Sequence, residues 1–83
     1  MHEGHITKTI IKVIEKEMRS MGNVRLKEAR IRLGELSGIK PEPFKLYFEE
    51  FTKGTPLGGA LLTIETAEGA EVELISIEAA TAG

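Results

Sequence analysis

The apolar pattern of this chain switches repeatedly between the repeat of a helix and the repeat of a strand, and that switching constrains the fold more than any single residue does. Ile6, Ile10, Val13, Ile14, Met18 and Met21 recur at three- and four-residue spacing, with Lys8, Lys12, Glu15, Lys16 and Arg19 between them. This predicts an amphipathic helix, with both Met side chains filling core, closed by Gly22-Asn23. From Val24 to Leu36 the pattern becomes alternation, Ala29, Ile31 and Leu33 facing one way and Arg30 and Arg32 the other, as in a half-buried strand. Gly34-Glu35-Leu36-Ser37-Gly38 then reads as strand end and turn, with Gly34 marking a bulge or a close backbone approach.

Pro41 and Pro43 open a second helix, where a missing amide proton costs nothing. Phe44, Tyr47, Phe48 and Phe51 follow at i, i+3, i+4 and i+7, so every aromatic side chain lies on one face, which is expected to dominate the core. Glu42, Glu49 and Glu50 form the solvated side, and Gly54 ends the helix. Ala60, Leu62 and Ile64, and then Val72, Leu74, Ile75 and Ile77, predict two further strands. Ala67-Glu68-Gly69-Ala70 separates them, and a hairpin is the simplest connection. The adjacent Leu74-Ile75 breaks strict alternation and predicts a bulge or burial on both faces, and the tail Ala79 to Gly83 is expected to fray.

The expected class is α+β: two helices packed on a three-stranded mixed sheet, in the order helix, strand, helix, strand, strand, as a single domain over 1–83. At 83 residues such a domain buries one core and has little stability to spare. It contains no Cys, which excludes disulfides, thiol catalysis and cysteine-ligated zinc, so no zinc is expected. A net charge of −2 without a basic stripe argues against nucleic acid as partner. No apolar run reaches spanning length and no hydrophobic leader opens the chain, so no membrane association and a cytoplasmic location are expected. No Gly-rich phosphate loop or nucleophile–base pair is present, and the reading is of a non-enzyme.

The densest set of metal donors is the chain start. The terminal amine of Met1, the backbone and ring nitrogens of His2 and the backbone nitrogen of Glu3 can wrap one cation in fused chelate rings. Planar nitrogen surroundings suit Ni(II) or Cu(II) rather than tetrahedral Zn(II) or oxygen-seeking Mg(II) and Ca(II). His5 and the Glu3 carboxylate keep a rearranged or six-coordinate site open, although His5 reads first as a helix residue.

Taken in order, Met1-His2-Glu3, Arg30-Ile31-Arg32-Leu33-Gly34-Glu35-Leu36-Ser37-Gly38-Ile39, Pro41-Glu42-Pro43-Phe44, and Gly54-Thr55-Pro56 leading into Ala60-Leu61-Leu62-Thr63-Ile64-Glu65 resemble the HypA/HybF family of hydrogenase nickel-insertion proteins. The resemblance implies a nickel metallochaperone domain holding Ni(II) as cargo at Met1, His2 and Glu3. It also implies a maturation GTPase and the hydrogenase large subunit as partners. Family members insert a zinc-binding domain with paired cysteines between the last two strands, and here only 67–70 stand in its place, so that module is expected to be absent. They also carry a larger residue where this chain has Gly4. A non-metal scaffold or protein-docking module of the same fold is the alternative reading, and both a monomer and a swapped dimer are compatible with the shortened turn.

Overall fold

The computed structural model describes residues 2–82, with the side chain of His2 outside that description. Helix α1 runs His2–Arg19, strand β1 Val24–Gly34, helix α2 Pro41–Thr52, strand β2 Leu61–Ala67 and strand β3 Val72–Thr81. Element order and class are those expected from the periodicity. The core joins Ile10, Ile11, Ile14 and Met18 of α1, Leu26, Ala29, Ile31 and Leu33 of β1, Phe44 and Phe48 of α2, and the loop residues Ile39 and Leu57.

The buried stripe of α1 is rotated from the expected one. Ile11 is buried and Val13 is 43 % exposed, so the stripe reads Thr7, Ile10, Ile11, Ile14 and Met18. Met21 is a correction to its assignment as core. The helix ends at Arg19, Gly22 turns the chain at φ 93°, and Met21 is left 48 % exposed on that turn. In α2, Phe44 and Phe48 are fully enclosed, whereas Tyr47 lies at the margin at 38 % exposure, so the aromatic face is only partly core.

The sheet order is β2-β1-β3, with β1 parallel to β2 and antiparallel to β3. The expected hairpin between the last two strands does not form, because both pair with β1 and neither with the other. The link 68–71 therefore arches over the end of β1. Gly34 N–H donates to the Glu71 carbonyl at 2.8 Å, Glu35 N–H to Ala67 at 2.8 Å and Leu36 N–H to Gly69 at 2.8 Å. Gly34 is the close approach its sequence position suggested: a Cβ there would stand 2.4 Å from the Gly69 carbonyl oxygen.

Register explains two further features. Arg30 pairs with Ser76 and Ile31 with Leu74, so Ile75 is the extra residue of a bulge, as Leu74-Ile75 predicted. The tail does not fray where expected. Ala79, Ala80 and Thr81 pair with Leu26, Arg25 and Val24, and Ala82 N–H donates to the Asn23 carbonyl at 3.1 Å. Ladder hydrogen bonds hold backbone that apolar content alone does not. Gly83 lies outside the described residues.

On the solvated face of the sheet, the Arg32 guanidinium bridges both neighbouring strands, 3.3 Å from Glu65 and 3.6 Å from Glu73. Thr63 donates to the Glu28 carboxylate at 2.7 Å. These half-exposed contacts lie on a solvated strand face, as the alternation predicted for Arg32, and each ion pair contributes at most about 1 kcal/mol.

Candidate metal site at the start of the first helix

The apolar period starts at Ile6, but α1 begins at His2, so His2 and Glu3 are part of its first turn. Met1 lies outside the described residues, as does the His2 side chain. No proline follows in α1, and nothing in the sequence caps the turn ahead of His2, which is why periodicity alone placed the start too late. Glu3 in the first turn complements the positive end of the helix dipole.

Helical backbone at this point suits chelation. The torsion N–Cα–C–N is ψ itself, about −42° in a helix and about +135° in a strand. At the helical value, successive backbone nitrogens lie on the same side of the Cα–C bond; in a strand they point apart. The first N–H groups of a helix also have no intrahelical acceptor, so using these nitrogens breaks no helix ladder bond. The nitrogens of His2 and Glu3 thus fit a main-chain donor set. Among the described residues, no three His, Asp or Glu side chains come together as a metal cluster.

Three contacts hold this turn. Thr7 is fully buried and donates its hydroxyl to the Glu3 carbonyl. The carboxyl of Glu3 is held below the ordinary glutamate range, chiefly by hydrogen bonding to its own backbone N–H, with partial desolvation opposing. Gly4 faces Tyr47 of α2, whose ring carbons lie 3.7 to 3.9 Å from where a Cβ would stand. His5 is exposed, and its carbonyl accepts from the Thr9 hydroxyl at 3.2 Å.

The lowered Glu3 pKa has a definite sign for stability. Folding favours the ionised carboxylate, so its contribution is present above the unfolded pKa of about 4.3 and is lost as pH falls through the lower folded value. Glu3→Gln is expected to be less stable than the wild type at neutral pH and to match it in acid. Urea unfolding of both proteins at neutral pH and near pH 3 checks this. A gap that persisted in acid would contradict the assignment.

The sequence singles out Met1, His2 and Glu3 as candidate donors but gives no sign that the Tyr47 ring stands beside the first turn of α1. A Cβ at Gly4 would meet that ring only at ordinary contact distance, so the glycine at position 4 does not announce it.

Comparison with known proteins gives a consistent picture. Residues 1–74 match the family described as HypA, hydrogenase/urease nickel incorporation, metallochaperone. The hydrogenase maturation factor HypA of Lawsonia intracellularis is 38% identical over 65 residues, covering 78% of this chain and 55% of that protein. The factor of the same name from Geobacter metallireducens is 38% identical over 69 residues, covering 83% and 60%. That from Acidithiobacillus ferrooxidans is 25% identical over 79 residues, covering 95% and 61%. The chain spans little more than half the length of these curated relatives. No helix among the described residues is long and apolar enough to cross a membrane.

Proposed function

Because the chain belongs to the HypA family of hydrogenase/urease nickel-incorporation metallochaperones, we propose that it holds Ni(II) as cargo at its start, through Met1, His2 and Glu3, and hands it on during nickel-iron hydrogenase maturation. The observation that carries this reading is the helical backbone at His2 and Glu3, which turns consecutive nitrogens toward one point in a chain whose first 74 residues match the family. The terminal amine, the His2 imidazole and the two backbone nitrogens then supply a planar set suited to Ni(II). Binding through the Glu3 nitrogen displaces the amide proton that its own carboxylate accepts. The protein performs no covalent step; it binds, orients and releases. The receiving partners in this reading are a maturation GTPase and the hydrogenase large subunit, and the module stands without a zinc-binding insert between β2 and β3.

Isothermal titration tests the site. Protein starting at a free Met1 is expected to bind about one Ni(II), as one tetragonal donor set allows. His2→Ala, or extra residues ahead of Met1, are expected to abolish binding. Uptake must release protons from the amine, the imidazole and any bound backbone nitrogen, so affinity falls on acidification. Equal nickel affinity in all three proteins would refute the terminal site and leave the scaffold reading.

A further inference from the structure

Three of the four aromatic rings belong to the core or its border, but Tyr47 is half-exposed and its ring faces the side of Gly4 on which a side chain would start. The Cε1, Cζ and Cδ1 atoms of Tyr47 lie 3.7, 3.8 and 3.9 Å from the Cβ position that Gly4 leaves vacant. One turn further along, the Lys8 ammonium stands 5.2 Å over the Phe51 ring, and Tyr47 and Phe51 are stacked at 5.6 Å with a 32° tilt. Residues i and i+4 of α1 thus meet residues i and i+4 of α2 along one seam, and Tyr47 is its last rung before the chain start.

We propose that Tyr47 is a positioning residue for the nickel site: its ring, set beside the first turn of α1 at Gly4, restrains the backbone of that turn before the ion arrives. This rests on the terminal-site reading above. The first turn of a helix lacks ladder bonds on its N–H groups and frays readily. Each residue frozen only on metal binding subtracts ordering entropy from affinity. A ring fixed by Phe51 on one side removes part of that cost in advance. The atoms nearest Gly4 are ring carbons, so the ring carries the role and the hydroxyl does not.

The test uses the fact that Tyr47 is the only tyrosine and the chain has no tryptophan, so its fluorescence reports on this position alone. In wild-type protein, one equivalent of Ni(II) is expected to quench that emission, and His2→Ala is expected to show no such quenching. Tyr47→Ala is expected to bind Ni(II) about tenfold or more weakly, the scale seen when an outer-shell support of a metal is removed, and to shift the visible absorption of the bound ion. Tyr47→Phe, which keeps the ring, is expected to restore both wild-type affinity and spectrum.

If His2→Ala bound nickel as the wild type does, the terminal-site reading itself would fail. If His2→Ala lost nickel while Tyr47→Ala kept full affinity and an unchanged spectrum, only the positioning role would be overturned. Tyr47→Phe as weak as Tyr47→Ala would also overturn it, by moving the effect to the hydroxyl. Unquenched Tyr47 emission at saturating nickel would do the same in unmodified protein, whatever the fate of the variants.

Discussion

Phe44→Ala is expected to lower the free energy of unfolding by about 4 kcal/mol, the range found when a buried aromatic side chain is truncated to alanine. Phe44 has no exposed surface and belongs to the cluster that includes Ile14 of α1 and Ile31 and Leu33 of β1, so the cavity would open where helices and sheet meet. Its N–H also makes the first bond of α2, to the Lys40 carbonyl at 3.2 Å, which fixes the side chain one turn from the helix start. The surrounding residues come from three elements and cannot all collapse into the gap. For a domain of this size the loss is a large part of the total, typically about 5 to 10 kcal/mol. Urea unfolding at constant slope reads the change as a fall in midpoint. A loss under about 1.5 kcal/mol, the cost of a well-tolerated core swap, would mean that Phe44 is not the centre of the core.

Gly34→Ala is expected to cost about 3 kcal/mol, although it adds only one methyl group. That methyl carbon would lie 2.4 Å from the carbonyl oxygen of Gly69, 2.8 Å from its carbonyl carbon and 2.9 Å from the nitrogen of Glu71. All three are backbone atoms, so no side chain can rotate away. The link must lift from the end of β1, and that loosens the bonds from Gly34, Glu35 and Leu36 to residues 71, 67 and 69. Each such bond contributes roughly 1 kcal/mol. Thermal or urea unfolding measures the loss, and a wild-type midpoint would show that the link moves freely. At Gly4 the same addition meets only ordinary contact with the Tyr47 ring, so the two glycines predict opposite tolerance.

Much of the fold is legible in the order of residues. The change of period located both helices and all three strands, Pro41 and Pro43 marked the start of α2, and Gly34 and Leu74-Ile75 announced the close approach and the bulge. Strand partners were not legible, because alternation records which face is buried and not which neighbour supplies the hydrogen bonds. The link length does not decide it either. Four extended residues reach about 13 Å, and two strand spacings amount to about 9.6 Å, so 68–71 can cross β1 as readily as turn back beside it. The tail was misjudged for a related reason: Ala79 to Thr81 have little apolar content, and their order comes from ladder bonds with β1.

The candidate site was legible as residues but not as geometry. Met1, His2 and Glu3 were singled out by donor chemistry, and the family match over residues 1–74 supports the resemblance that raised them above background. The helical backbone of His2 and Glu3 could not be read, since the apolar period of α1 starts only at Ile6. The contribution of α2 was hidden as well, because Tyr47 comes beside Gly4 only once both helices pack on the sheet.

The strand order has a kinetic consequence. With no hairpin, every pairing in the sheet joins distant parts of the chain: across β1 and β2 the partners stand 33 residues apart, as for Arg32 and Glu65, and those across β1 and β3 are separated by more still. Loop-closure entropy must be met before any rung of the sheet is gained, whereas the bonds within the two helices are local. Refolding of this small domain is therefore slower than its helix content suggests, and the central strand waits for chain segments on both sides to find it.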